Sequence, residues 1–154
     1  MLQECCYDCN KEIRVIAASQ ALEAWFQQVL PAKMGFMVDQ NLAQLANEEF
    51  GYLTTIGRVS GREHTIEIWF ALEGRTIYML AGGRDKSDWV KNARKQPKVR
   101  FRIRDQHFQG HARILAAGEE DSLARRIVVA KYQPIYNEDL SDWGRTSLVV
   151  AVDI

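Results

Sequence analysis

The chain has 154 residues, of which 47% are apolar and 26% charged, as expected for a globular protein of one domain. Lys and Arg number 20 and Asp and Glu number 20, so no overall charge favours binding to nucleic acid or to an anionic membrane. No apolar run approaches the roughly 20 residues that cross a bilayer, and the N-terminus shows no recognisable signal peptide. We therefore expect a cytoplasmic protein.

The three cysteines, Cys5, Cys6 and Cys9, all lie at the N-terminus. Cys6 and Cys9 form a C-x-x-C pair, but a structural zinc site usually takes four ligands and no second cysteine pair follows. We expect no metal site and interpret residues 1–12 as a flexible tail, with residues 13–154 forming a single domain. The role of the cysteines stays open.

The first half of the chain changes from a helical to a strand period. Residues 14–30 carry apolar side chains at spacings of three and four, which predicts a helix ended by Pro31. A shorter helix with Asn41 as its cap is expected next. From residue 50 the period is two, with one continuous strand face predicted to run from His64 through Phe70 to Leu72.

The second half predicts further strands and helices in alternation. "TIYMLAG" is a third strand, "SDWVKNARKQP" a short helix, "KVRFRIRD" and "HFQGHARILAA" a hairpin, "EEDSLARRIVVAKY" a helix and "TSLVVAVDI" a buried strand. The stretch between that helix and the last strand is expected to be a loop. Strands outnumber helices and are joined by tight turns, which indicates an α+β fold. We expect an antiparallel barrel or strongly curled sheet of about six strands with flanking helices.

Two loops carry the residues of an anion site. The hairpin turn "GRVSGR" presents Arg58, Ser60 and Arg62. The loop "AGGRDKSDW" precedes a predicted helix, and helix N-termini bind phosphate readily. Its candidate residues are Gly82, Gly83, Arg84, Lys86 and Ser87. Together the two loops predict a phosphate cradle, whereas either alone would be interpreted as a solvated turn.

The segments "LTTIGRVSGREHTIEIWF" and "GRTIYMLAGGRDKSDWVKNARKQPKVRFRI" resemble the deazaflavin-dependent nitroreductase and quinone reductase family, a likeness that covers most of the chain. The resemblance implies a split β-barrel related to the FMN-binding pyridoxamine-phosphate-oxidase fold. It also implies an oxidoreductase that uses reduced coenzyme F420 to transfer a hydride to a quinone, nitro compound or activated alkene. An FMN-dependent enzyme of the same fold, or a non-catalytic split barrel that binds a flavin or another anionic ligand, are the alternatives.

The resemblance places Arg58, Ser60 and Lys86 on the phosphate side of the coenzyme. Trp89 and Asn92 match the family's W-x-x-N, which packs and orients the loop. The chain departs from the family at Val59, where many relatives carry a cation that Arg62 could replace, and at His64, where some carry arginine. The complete set of expected cofactor-binding residues is Arg58, Ser60, Arg62, His64, Glu67, Trp69, Gly82, Gly83, Arg84, Lys86, Ser87, Trp89 and Asn92.

The remaining expectations concern the ring of the coenzyme and the acceptor. Glu67 shares a strand face with Trp69, where it could accept a hydrogen bond from a ring N–H or pair with an arginine of the next strand. Tyr132 and Tyr136 match approximately the tyrosines that line the substrate side in relatives, although both could be packing aromatics. The expected partner is a small-molecule electron acceptor, with no nucleic acid and no integral membrane contact. Split barrels often pair across a sheet face, so a homodimer is expected as one option beside a monomer.

Overall fold

The computed structural model describes residues 42–154, which fall within one compact unit, Asp39–Ile154. The strands are β1 (Gly51–Ile56), β2 (Glu63–Ile68), β3 (Ala71–Glu73), β4 (Thr76–Ala81), β5 (Lys98–Ile103), β6 (Gln106–Ile114) and β7 (Leu148–Asp153). Residues 42–45 are helical, as predicted for the shorter helix, and they are followed along the chain by a 3-10 turn (Arg84–Lys86), α1 (Asp88–Lys95), α2 (Glu119–Tyr132) and α3 (Ser141–Thr146). The predictions for the cysteine tail, the first helix and the Asn41 cap lie outside the described residues.

The seven strands form one antiparallel sheet in the order β2-β1-β5-β6-β7-β4-β3. The prediction of a curled antiparallel sheet with flanking helices is thereby confirmed. In β5 the period of two is followed closely, since Val99, Phe101 and Ile103 are buried while the arginines between them face outward. Strands β1 and β2, and strands β5 and β6, pair as the hairpins predicted from the sequence.

Two predicted elements were wrong in detail. The continuous strand through Phe70 is divided into β2 and β3, because the chain leaves the ladder at Trp69 and Phe70. Phe70 is fully buried against Phe101, with the ring centroids 5.5 Å apart. Burial of this ring therefore stabilises the chain more than continued strand pairing at Trp69 and Phe70 would. The predicted loop before the last strand contains the short helix α3.

The two faces of β4 and β7 are both covered, which produces two apolar clusters. On one face Ile77 and Met79 pack in a cluster that includes Val90 and Ala93 of α1. On the other face Tyr78 and Leu80 pack in a cluster with residues of α2. Helix α1 therefore packs its buried face against the sheet, and its first turn lies beside the β1–β2 hairpin. Among residues 42–154, no helix is long and apolar enough to cross a membrane.

Candidate functional site

The β1–β2 hairpin turn and the first turn of α1 border a cleft of about 580 Å³. Both predicted loops therefore contribute to one site, although the second does so only from Ser87 onward. The lining side chains from the sheet and hairpin include Thr55, Arg58, Val59, Ser60, His64 and Ile66. Those from the helix are Ser87, Asp88, Trp89 and Asn92.

The hairpin turn is shaped by its two glycines. Gly61 adopts a φ of 67°, in the left-handed region that favours glycine. A Cβ at Gly57 would lie 2.5 Å from Ser60 Oγ and 2.7 Å from His64 Nε2. Because Gly57 has no side chain, that hydroxyl and imidazole approach each other to 3.2 Å at the edge of the cleft.

Asn92 connects helix α1 to the hairpin. Its side-chain oxygen accepts hydrogen bonds from the Arg58 amide at 3.0 Å and from Arg58 Nη1 at 3.2 Å. Its Nδ2 donates to Thr55 Oγ1 at 3.4 Å. Asn92 is 5% exposed and Thr55 1%, so these polar groups are buried and each needs a partner. The linkage fixes the guanidinium of Arg58 at the mouth of the cleft.

Arg58 also forms an ion pair with Asp88, the first residue of α1, at 3.0 Å. Ser87 occupies the N-cap position, but its side chain makes no capping hydrogen bond. A Cβ at Gly83 would lie 2.6 Å from Ser87 Oγ, so this glycine permits the observed position of the hydroxyl. The beginning of α1 therefore presents a hydroxyl and the amide groups of a helix N-terminus to the cleft.

The other residues of the glycine loop do not line this cleft. Arg84 has a φ of 51°, and its Nε donates to the carbonyl oxygen of Thr146 at 2.6 Å. Gly82 lies beneath the indole edge of Trp143, since a Cβ there would be 3.1 Å from Nε1. Gly83 and Lys86 are exposed to solvent. Of the four cations that the sequence predicted for the two loops, Arg58 of the hairpin is the one that lines the cleft.

Glu67 and Arg62 also lie away from the cleft lining. Glu67 accepts a hydrogen bond from the Tyr52 hydroxyl at 2.9 Å, and this bond to a carboxylate raises the pKa of Tyr52. The partner across the strands is thus a tyrosine rather than an arginine, with Arg102 above the Tyr52 ring at 4.0 Å. Arg62 is exposed, and its backbone amide donates to Ser60 Oγ at 3.3 Å.

Trp69 belongs to an aromatic cluster with the two candidate tyrosines. Its ring stacks on Tyr132 at 4.4 Å and meets Tyr136 edge-on at 5.1 Å. Tyr132 is 1% exposed, and its hydroxyl accepts from the Phe70 amide and lies 2.8 Å from the Glu49 carbonyl oxygen. Burial raises the pKa of Tyr132 to about 12, so it stays protonated at neutral pH. Tyr132 packs in the core, whereas Tyr136 is exposed.

Two polar side chains of the lining, those of Thr55 and Asp88, were not among the site residues expected from the sequence. Thr55 follows another threonine in a strand, and only the sheet register shows which of the two is buried. Asp88 had a visible signal, since acidic residues are favoured in the first turn of a helix. Its contact with Arg58, 30 positions earlier, depends on how the helix docks.

The donors in the cleft suit an anionic group of a cofactor. They comprise the Arg58 guanidinium, the Ser60 and Ser87 hydroxyls and the amides at the start of α1. An antiparallel curled sheet of this kind with flanking helices defines the class of split-barrel proteins. Residues 26–154 match the F420H2-dependent quinone reductase family, and the chain belongs to that family. It is therefore an oxidoreductase that depends on coenzyme F420.

Solved structures agree with this fold. An F420-H2 dependent reductase (FDR-A) is 27% identical, with a TM-score of 0.56, covering 68% of this chain and 94% of that one. A candidate pyridoxamine 5'-phosphate oxidase from Listeria innocua is 19% identical, with a TM-score of 0.55 and coverages of 74% and 90%. A solved structure described as a domain-swapped dimer is 20% identical, with a TM-score of 0.57 and coverages of 77% of this chain and 97% of that one. No curated protein shows significant similarity to the chain.

Proposed function

We propose that the cleft between the hairpin and α1 holds the phosphate side of coenzyme F420, and that the enzyme reduces an electron-poor small molecule. The acceptor class comprises quinones, nitro compounds and activated alkenes. The carrying observation is that two loops far apart in sequence meet in one cleft, where Asn92 fixes Arg58 beside the start of α1. Fixed donors of this kind bind an anion without first having to be ordered.

In this proposal each polar side chain has a distinct task. Arg58 supplies the charge-assisted hydrogen bond to the phosphate, and the Ser60 and Ser87 hydroxyls supply neutral ones. Trp89 contributes an apolar wall beside them. When bound, the reduced coenzyme supplies the hydride, so the protein needs no nucleophile of its own. The buried Tyr132 is not given a role in catalysis, and Tyr136, exposed beside Trp69, is the remaining substrate-side candidate.

The proposal is tested by titrating coenzyme F420 into the wild type and an Arg58→Gln variant while following fluorescence. Hydrogen bonds to charged groups contribute about 1.5–3 kcal/mol, and partial exposure of Arg58 favours the lower end. The expected loss is therefore roughly tenfold in affinity. A coenzyme fragment that lacks the phosphate and the acidic tail should bind both proteins equally.

Arg94→Gln is the matched control, because Arg94 is a cation of α1, the helix whose first turn borders the cleft, but it pairs with Asp85, and neither residue lines the cleft. It should leave the affinity for intact coenzyme unchanged. Equal weakening of intact coenzyme and fragment by Arg58→Gln would instead show that Arg58 only supports the hairpin. FMN, added as a competitor, should displace the coenzyme poorly if the family assignment extends to selectivity.

Assembly and location belong to the same proposal. We expect a homodimer in the cytoplasm, and the support for a dimer is one structural neighbour that forms a domain-swapped dimer. Light scattering of the purified protein across a range of concentrations measures the molar mass directly. A mass of one 17.7 kDa chain at every concentration would reject the dimer.

A further inference from the structure

We infer that Asp88 determines the affinity and charge specificity of the cleft, because its carboxylate competes with the coenzyme's phosphate for Arg58. The inference rests on the proposed function and adds to it a residue that opposes binding. Asp88 Oδ1 lies 3.0 Å from Arg58 Nη2, on the guanidinium that the phosphate would contact. A carboxylate at this position satisfies the same donor that an anionic ligand needs.

The two partners of Arg58 differ in character. Asn92 is buried, is neutral and accepts from both the amide and the guanidinium of Arg58. The side chain of Asp88 is 76% exposed, and on Arg58 it contacts the guanidinium but not the backbone amide. A surface ion pair contributes little to stability, whereas a buried polar group is costly to leave unpaired. A ligand can therefore displace Asp88 while Asn92 continues to hold Arg58.

Asp88 has a second partner available when it is displaced. Lys91 Nζ lies 3.7 Å from Asp88 Oδ1, one turn along α1. A pair three positions apart on a helix stays in contact without movement of the backbone. Release of Arg58 thus leaves the carboxylate beside another cation, and the exchange requires only a side-chain rotation.

The consequence is selection by ligand charge. A ligand with a phosphate at Arg58 must first break the ion pair and then lies close to the Asp88 carboxylate, so it binds less tightly than the arginine alone would allow. A ligand without a phosphate leaves the pair intact and is unaffected. Asp88 therefore lowers the affinity for intact coenzyme specifically, which favours exchange of the oxidised and reduced forms.

The test compares Asp88→Asn with Asp85→Asn by fluorescence titration. Both variants remove one negative charge near the start of α1, but Asp85 pairs with Arg94 and does not line the cleft. Asp88→Asn should bind intact coenzyme about threefold to tenfold more tightly, or roughly 0.7–1.4 kcal/mol at 1.4 kcal/mol per factor of ten. Its affinity for the fragment without phosphate should not change, and the gain should shrink as salt is raised.

Several outcomes overturn the inference. Unchanged or weaker binding of intact coenzyme by Asp88→Asn would mean that the carboxylate positions Arg58 rather than competing for it. An equal gain in Asp85→Asn would assign the effect to overall charge. If Arg58→Gln leaves the affinity for intact coenzyme unchanged, the proposed phosphate site fails, and with it the inference. If Arg58→Gln weakens binding but Asp88→Asn does not strengthen it, only the inference fails.

Discussion

Replacing Asn92 with alanine tests whether the buried linkage organises the site. The substitution removes two hydrogen bonds to Arg58, at 3.0 and 3.2 Å, and a longer one to Thr55 at 3.4 Å. At about 1 kcal/mol for each of the shorter bonds and less for the long one, the loss is roughly 2–3 kcal/mol. Alanine is the better helix former by about 0.7 kcal/mol, so we expect a net loss of about 1.3–2.3 kcal/mol.

Urea unfolding followed by circular dichroism measures this loss at constant pH and temperature. Thr55→Val is the matched control, since it keeps the shape of a buried side chain and removes only the 3.4 Å contact. The control should cost less than Asn92→Ala, because it removes one long hydrogen bond, although the buried Asn92 Nδ2 then lacks that partner. A loss in Asn92→Ala no larger than that in Thr55→Val would refute the assignment of stability to the Arg58 contacts.

The same variant should also weaken coenzyme binding, because a freed Arg58 must be ordered when the ligand binds. The double variant Asn92→Ala/Arg58→Gln should bind about as weakly as Arg58→Gln alone, since Asn92 acts through the arginine. Residues that share one interaction network show such non-additivity. Strictly additive losses would show that Asn92 contributes to binding independently of Arg58, and the positioning role would be wrong.

Three further predictions concern the framework around the site. Hydrogen bonds from Arg113 lower the pKa of Asp153 and of Glu120, so the stability that these carboxylates contribute is present above about pH 4 and is lost as the pH falls. In Arg113→Leu the Tm should therefore change less than in the wild type when the pH is lowered from about 5 to about 3. Arg125 binds Asp121 and the carbonyl oxygens of Gly144 and Ser147, so Arg125→Ala should lower the free energy of unfolding by about 2–4 kcal/mol, against under about 0.5 for the exposed Arg126→Ala. Lys131 donates to the Glu48 and Phe70 carbonyl oxygens, so Lys131→Met should speed amide hydrogen exchange around residues 48–50 without changing coenzyme affinity.

The sheet could be predicted because local patterns determined it. The alternation in β5 and the glycine-containing turns specify strands and hairpins from neighbouring residues alone. The break after Ile68 could not be predicted in this way, since Trp69 and Phe70 leave the ladder to pack against residues distant in sequence. Helix α3 was missed for a similar reason, because Arg125 of another helix binds the carbonyl oxygens at its end.

The candidate site divides along the same line. The hairpin residues Arg58 and Ser60 and the helix residues Ser87, Trp89 and Asn92 all line the cleft, and each was suggested by a short motif. The direction of Arg84 was not visible, because it is set by the carbonyl oxygen of Thr146, 62 positions later. Motifs identify which loops meet, whereas the orientation of each side chain depends on partners that only the folded chain supplies.

These orientations bear on how the proposed phosphate site would recognise an anion. The glycine loop appears rich in cations in the sequence, yet Arg84 is bound elsewhere and Lys86 does not line the cleft. Among the lining residues, Arg58 carries a guanidinium, and Asp88 offsets its charge. Recognition must then depend on the placement of one arginine, two hydroxyls and the amides of a helix N-terminus more than on the amount of positive charge. Asn92 is for that reason as important to the site as any cation, because it fixes the position of the arginine on which the other contacts depend.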